Sequence, residues 1–390
     1  MATSGNFVQL HNHTHYSLLD GASKIPDLVK RAKELNMPAV GITDHGNMHG
    51  AYEMWSTAVK EGVKPIIGIE AYVTPETARQ DQTRVSWDTN WNPDIDPQHR
   101  RRNPNDVSGG GLITHLTMWA ETDEGLVNLM KASTDANLEG RVMRYPRMDK
   151  EILAKYSKGI IASSGCPSGI IQTRLLLGQF DEALRAAGEL QDIFGRDNFY
   201  IEFMDHGLKI EKQVTDGLLD IAKKLNAPLL ATNDSHYVRA EDAGSQDAML
   251  CINSGSTLDE PGRFKFDGTG YYLKSAEEMH ELFKDIPEAC DNTLEIAERC
   301  NVMFDDHEDG AFMPQFDCPE GWDETSLFLR KVEEGLEQRY DGHPPIEVLK
   351  QADYECGVIC QMQFCGYFLV VADYINWAKS HGVMVGPGRG

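Results

Sequence analysis

Short apolar, β-branched runs alternate with amphipathic segments from residue 7 to about residue 238. Strand-like runs fall at Val8–Leu10, Ala39–Thr43, Pro65–Val73, Leu112–Trp119, Gly159–Ser163, Phe199–Phe203 and Pro228–Thr232. Between most of them, apolar residues recur at helical spacing over Lys24–Leu35, His49–Gly62, Glu124–Leu138, Ile170–Phe194 and Glu211–Leu225. Strands that are apolar throughout read as buried on both faces, as in a parallel sheet covered by helices. Seven β-then-α units in series predict a closed or nearly closed barrel, whose active site would lie at the C-terminal ends of its strands. The connection Pro75–Gly111 breaks the rhythm with Arg, Asp, Asn, Pro and Gly, and reads as a loop or lid at the barrel mouth. Past residue 240 the alternation stops. Helical patterns then cover Glu241–Asn253, the stretch SAEEMHELFKDIPEACDNTLEIAERCN and the region from Ser326, and VMVGPGRG closes the chain as a β-branched run entering a glycine turn. The expected organisation is a barrel domain over 1–285 and a mainly helical second domain, cut short, over 286–390.

Composition changes this picture little. At 390 residues there is room for two cores, and 41% hydrophobic residues is ordinary for a globular protein. The start, MATSGNFVQL, has no basic region followed by an apolar stretch, so neither a signal peptide nor a membrane span is expected. Eight cysteines without regular spacing read as reduced thiols in the cytoplasm. A net charge of −24 argues against a protein that coats nucleic acid with its whole surface, yet leaves room for a phosphodiester held by metal ions and a local basic patch. One such patch is Arg79, Arg84, Arg100, Arg101 and Arg102, which reads equally well as a solvated loop face.

Nine metal-type side chains change it most. They are His11 and His13 in LHNHTHYSLLD, Asp20, His45 in GITDHG, Glu70 in GIEAYV, His115 in LITHLT, Cys166 in ASSGCPSG, and Asp234 and His236 in ATNDSHYV. Residues two apart on a strand face the same way, so His11 with His13, and Asp234 with His236, can aim two ligands at one point. Imidazole and thiolate favour zinc, and carboxylates also serve manganese or magnesium. Nine donors exceed one tetrahedral ion and suit two or three, bridged by a carboxylate. Metal ions about 3.5–4 Å apart hydrolyse phosphate esters, so the expected chemistry is hydrolysis of a phosphomonoester or phosphodiester. Each residue alone has a plainer reading. An HxH pair is often satisfied core, Asp20 and Glu70 could cap helices or form ion pairs, and Cys166 could be a small buried hydrophobe. His15 reads as an outer or surface residue, and Asp44, pointing away beside His45, as a support rather than a ligand. Cys356, Cys360 and Cys365 sit in a helix that otherwise reads as core, and packing is the better reading there.

The segments HNHTHYSLLDG, GITDHGNMHGAYE, GIEAYV and ATNDSHYV resemble the motifs of the polymerase-and-histidinol-phosphatase (PHP) superfamily. The resemblance is closest to the N-terminal domain of the bacterial replicative DNA polymerase III alpha subunits, the C-family polymerases. The later segments GYYLKSAEEM, NTLEIAERCN, GYFLVVADYINWAK and VGPGRG are similar to that family's continuation into the palm. The resemblance implies an α/β fold: a distorted seven-stranded, TIM-like (β/α) barrel followed by a partial, mainly helical palm segment. It implies three divalent ions, zinc or manganese, with magnesium serving the polymerase domain of the parent protein. His11, His13, Glu70 and Asp234 would hold the first ion, and Asp20, His45 and His236 the second. Glu70, His115 and Cys166 would hold the third. No position of the nine departs from the family pattern, so a 3′→5′ proofreading exonuclease is implied, with Asp20, Asp234 and His236 as its catalytic residues. The implied partners are DNA primer–template, the sliding clamp and other replisome subunits, with no membrane. Arg389 in the glycine turn would meet triphosphate oxygens, and the polymerase's own aspartates would lie beyond residue 390; apart from the resemblance, which is weakest over 76–110, Arg100–Arg102 of the basic patch are the candidate DNA contacts. Two alternatives stay open: a catalytically silent, metal-stabilised barrel that braces the polymerase or docks a separate exonuclease, and a small-molecule phosphatase.

Overall fold

The computed structural model describes residues 6–18, 20–87, 111–304, 314–386 and 388. Arg100, Arg101, Arg102 and Arg389, the acidic run 305–309 and most of the glycine turn lie outside them. The chain divides into two compact units, Met1–Phe304 and Asp305–Gly390.

In the first unit seven strands form one curled sheet: β1 (Ala39–Ile42), β2 (Lys64–Val73), β3 (Thr114–Ala120), β4 (Arg147–Met148), β5 (Ile160–Ser163), β6 (Phe199–Phe203) and β7 (Leu229–Ala231). Their order is β1-β2-β3-β5-β6-β7, with β4 paired to the end of β2. The sheet departs from the expected all-parallel arrangement at β3, which runs antiparallel to both β2 and β5. A parallel return needs a crossover connection of a dozen or more residues, usually a helix. The described residues between β2 and β3 contain no α-helix, so the chain returns from the end it left. The predicted run Val8–Leu10 is not a ladder strand; it and the residues after it stitch the sheet's two edges together. Gly41 N–H donates to Gln9 O (2.8 Å), while His13 N–H donates to Ser235 O (2.7 Å) and Ser235 N–H to His11 O (3.1 Å).

Both faces of the strands are buried. Val8, Leu10, Ala39, Ile66, Trp119, Ile161, Tyr200 and Leu230 form an inner cluster, completed by Ile296, Ala297 and Cys300 of the C-terminal helix and its end. Alternate residues, such as Ile67 and Ile69, turn outward to the helices. Those helices are amphipathic for a simple reason of spacing. In chain order they begin α1 (Ile25–Glu34), α2 (Ala51–Glu61), α3 (Asp123–Glu139), α4 (Lys150–Lys155), α5 (Ile170–Leu176), α6 (Phe180–Phe194), α7 (Lys209–Leu225), α8 (Ala243–Ser254) and α9 (Ala276–Leu282), and in α1 the buried residues are Ile25, Leu28, Val29 and Ala32, one helical face. The stretch predicted as one helix over Ile170–Phe194 is two, α5 (Ile170–Leu176) and α6 (Phe180–Phe194), separated by Gly178 at φ 72°. The first compact unit runs past residue 285 to Phe304, and α10 (Pro287–Arg299) packs against β7 within it. Asn292 donates to Leu229 O (2.7 Å), and Val8 N–H donates to Thr293 Oγ1 (3.2 Å).

The second unit consists, among its described residues, of α11 (Glu324–Arg339), α12 (Ile346–Gln361) and α13 (Cys365–Ser380). Leu327, Phe328, Cys365 and Leu369 form its small core, with Cys356 and Cys360 packed against it. Among the described residues no single helix is long and apolar enough to cross a membrane, although the bent pair α12–α13 reaches that length and composition together.

Candidate metal centre

All nine candidate ligands converge at one end of the sheet. His45 stands three residues past β1, Cys166 three past β5, and Asp234 three past β7, while Glu70 lies inside β2. His115 was expected at the C-terminal end of its strand but is the second residue of β3. Because β3 runs the other way, its start lies beside the end of β2, with His115 paired to Tyr72. Glu70 is the hub. Its oxygens lie 3.5 Å from His11 Nε2, 3.5 Å from His13 Nε2, 2.6 Å from His45 Nδ1 and 3.1 Å from His115 Nδ1. Asp234 Oδ1 lies 3.4 Å from His11 Nε2 and 3.0 Å from His13 Nε2. Asp20 reaches His45 Nε2 at 3.3 Å, and Cys166 Sγ reaches His115 Nδ1 at 3.4 Å. The His236 ring stacks on His13, centroids 4.3 Å apart.

The ring nitrogens that do not face the centre are held from behind. His11 Nδ1–H donates to Glu202 Oε1 (2.7 Å), His13 Nδ1–H to Ser17 Oγ (2.9 Å) and His236 Nδ1–H to the Asp234 carbonyl (2.9 Å). Ser17 is fixed as an acceptor because its own proton goes to Asp44 (2.7 Å), which also takes both donors of Thr14. Asp44 is therefore the support that its position beside His45 predicted. His15 has no place in the cluster; its ring lies against Tyr16. Glu202 was missed by the sequence reading. Buried in FYIEF, it also accepts from Thr232 Oγ1 and Ser163 Oγ, both at 2.5 Å. The available signal was a lone carboxylate inside an otherwise apolar strand.

Eight buried atoms of this cluster have no hydrogen-bond partner: the Nε2 of His11, His13 and His236, His45 Nδ1, both Glu70 oxygens, Asp20 Oδ1 and Asp234 Oδ1. The 2.6 Å approach of His45 to Glu70 is thus close without hydrogen-bond alignment. A buried polar group left without a hydrogen bond costs about 1–3 kcal/mol, here offset in part because carboxylate oxygens and imidazole nitrogens of the set stand 2.6–3.5 Å apart. Divalent cations held among them would satisfy these atoms. Three overlapping sets can hold one: His11, His13 and Glu70; His45, Glu70 and His115; and His13, His45 and His236.

Charge in the cluster is shared out unevenly. Burial opposes the imidazoliums of His11 and His45, but Glu202 and Asp234 around the first, and Asp20 and Glu70 around the second, hold both pKa values well above the usual range. Burial, with His45 and His236 alongside, pushes His13 down to about 3. Glu70 and Asp234 stay ionised against burial, held low by the surrounding imidazoles. Burial and the Glu70 charge push the Cys166 thiol well up. Asp234 itself sits at φ 44°, in the left-handed region that few non-glycine residues adopt, and such strain collects at functional sites. Gly46, φ 62°, follows His45; a Cβ there would stand 2.7 Å from the Tyr72 ring, so only glycine lets this turn close over Glu70.

The basic patch fares differently. Arg79 is bound to Glu139, Asp149 and Glu151, which leaves it no free charge for a phosphate.

Residues 9–206 match the family model of the PHP domain, and residues 326–390 match that of the bacterial DNA polymerase III alpha NTPase domain. The chain is 50% identical over its whole length to the DNA polymerase III subunit alpha of Mycobacterium tuberculosis (strain H37Rv) and 50% identical over 99% to that of Mycobacterium leprae (strain TN). It spans 32% of the length of each, about a third. A solved structure provisionally described as a metal-dependent phosphoesterase, from Bifidobacterium adolescentis, matches 72% of this chain and 96% of its own at 16% identity, with a TM-score of 0.36.

Proposed function

The chain belongs to the PHP domain family, in the form that stands at the head of bacterial DNA polymerase III alpha subunits, and from that premise we propose that its metal centre is a 3′→5′ proofreading exonuclease. The observation that carries this reading is a cluster of eight buried donor and acceptor atoms without hydrogen-bond partners, contributed by seven of the nine candidate ligands, in which overlapping groups could each hold an ion. A barrel kept only as a scaffold would gain stability from apolar residues in their place.

Three divalent ions are assigned, zinc or manganese: one to His11, His13, Glu70 and Asp234, one to Asp20, His45 and His236, and one to Glu70, His115 and Cys166. Bound divalent ions supply a water-derived nucleophile at neutral pH and neutralise charge on the phosphodiester. The chain's part is placement. Glu202, Ser17 and the Asp234 carbonyl fix three imidazoles with Nε2 turned to the centre, and Asp20 and His45, with side chains 22% and 15% exposed, form the edge over which a strand end arrives. Asp20, Asp234 and His236 are the catalytic residues in this reading. The parent polypeptide is the replicative DNA-directed DNA polymerase, a magnesium-dependent nucleotidyltransferase working in the cytoplasm with primer–template, sliding clamp and other replisome subunits. Identity over the full length of this chain to polymerase subunits supports that placement.

The test is cleavage of a 3′-mismatched, 5′-labelled primer–template by the unaltered chain and by Asp234→Asn, with bound metal quantified on both. Stepwise shortening by the unaltered chain, reduced about 100-fold or more in the variant, is the expected result. No shortening at full metal occupancy would mean a metal-stabilised scaffold instead. Hydrolysis of a chromogenic phosphomonoester without DNA cleavage would mean a small-molecule phosphatase.

A further inference from the structure

A cleft of about 330 Å³ opens beside the Asp20–His45 edge of the cluster, with Tyr72, Arg141, Arg144 and Asn253 on its walls. Its size is near the lower limit for a small-molecule pocket, roughly 300–1,000 Å³, which suits one nucleotide and not a duplex. The two arginines set it apart. Arg79, Arg174, Arg185, Arg239, Arg263 and Arg299 all face carboxylates at ion-pair distance. Arg144 instead donates to the neutral amide of Asn253 (2.9 Å) and lies over the Tyr145 ring (5.3 Å), and Arg141 donates only weakly to the Met143 carbonyl (3.4 Å). Both are exposed, so their charge is available in a protein whose net charge is −24. A guanidinium is suited to bind phosphate oxygens in pairs. The rest of the lining is mixed and includes the Asp20 carboxylate, but it holds two tyrosines, Tyr16 and Tyr72; Tyr72 lies parallel to His45, with centroids 6.0 Å apart, and meets Tyr145 edge-on. Guanidiniums and an aromatic ring lining one cleft are the combination that holds single-stranded nucleotides.

We propose that this cleft seats the terminal nucleotide of a single-stranded 3′ end, with Arg144 and Arg141 binding its backbone phosphate and Tyr72 packing against its sugar or base. The assignment rests on the exonuclease reading for its substrate class, and it adds that a mispaired end must leave the duplex before it fits.

Thymidine 5′-monophosphate binding, measured by calorimetry, tests the cleft without requiring turnover. The proteins are the unaltered chain, Arg144→Ala, the Arg141→Ala/Arg144→Ala pair and Arg144→Lys, each with its metal content determined. The expected result is affinity at least tenfold weaker in the alanine variants at unchanged metal content, partly recovered in Arg144→Lys. The log–log salt slope for a short single strand should also fall by about one per arginine removed. Equal affinities across the set, or no mononucleotide binding by the unaltered chain, would overturn the proposal. If affinity depends on the arginines while the unaltered chain cuts no DNA, the cleft stands and the exonuclease reading fails.

Discussion

At the scale of single residues, the centre depends on side chains that never touch its middle. Glu202 takes the Nδ1 proton of His11 and is itself held by Thr232 and Ser163, so it sets which nitrogen of His11 faces inward. Outer partners of this kind are worth about 10–100-fold in metal affinity. Glu202→Gln should therefore lose metal at about 10–100-fold lower chelator concentration while the secondary structure is retained. Unchanged retention would show that packing alone orients His11. Protonation gives a second expectation. His11, His45 and Cys166 hold pKa values well above their usual ranges in the metal-free chain, so at pH 7 they carry protons that ligation must displace. His13, down at about 3, has none to give. Metal binding at pH 7 should release about three protons per chain, and affinity should fall as pH falls, by up to about tenfold per proton per pH unit. Without metal, the charged imidazoles of His11 and His45 contribute stability fully below 6.5 and lose it as pH rises through their raised values. Calorimetric titration in two buffers of different ionisation enthalpy counts the protons; a count of zero would contradict this charge distribution.

At the scale of elements, the sequence shows the parts of the site that are local and hides those that depend on a partner strand. The six longer strands and their helices were legible because an apolar run bounded by turn residues can only be buried in one way. The ligand candidates stood out in the sequence because most of them interrupt or end such a run. Three features were not legible. β4 is two residues long, too short to leave a pattern, and exists because Tyr72 and Val73 offer it a free edge. The segment Val8–Leu10 looks like a strand by composition, yet its backbone groups pair separately: Gln9 O accepts from Gly41 N–H, Val8 N–H donates to Thr293 Oγ1 and Leu10 O accepts from Trp119 Nε1–H. The direction of β3 leaves no mark in its own residues, since an apolar strand reads alike from either end. That direction decides the site, because a parallel β3 would carry His115 to the opposite end of the sheet from Glu70. The reversal follows from the connection before it, whose described part is strapped to the barrel wall by Arg147. That buried guanidinium donates to the carbonyls of Arg79 (2.7 Å) and Asp81 (2.8 Å) before the chain, and to Leu112 (3.2 Å) after it.

At the scale of the whole molecule, the metal end of the first unit is polar, so its stability must come from the other end. The inner cluster of Val8, Leu10, Ile66, Trp119, Ile161, Tyr200 and Leu230 would open to water there, were it not closed by Ile296, Ala297 and Cys300. Arg299 fastens the closure through Glu121 (2.9 Å) and the Asp197 carbonyl (2.8 Å), and Asn301 N–H donates to Glu121 O (2.8 Å). A division at 285/286 would remove this plug, whereas one at 304/305 would leave it whole. A buried aliphatic side chain is worth about 1.5–3 kcal/mol. Losing Ile296 together with Ala289, Cys290 and Ala297, and wetting the cluster above them, should cost on the order of 5 kcal/mol, against a total of about 5–15 kcal/mol. A fragment of residues 1–304 should therefore fold and keep its metal, with a melting temperature close to that of the full chain's first transition. A fragment of residues 1–285 should melt at least about 10 °C lower, or not fold at all. Thermal melts of the two, with metal content measured on each, decide the matter. If the shorter fragment melts within a few degrees of the longer, α10 is an accessory to the first unit and not the closure of its core.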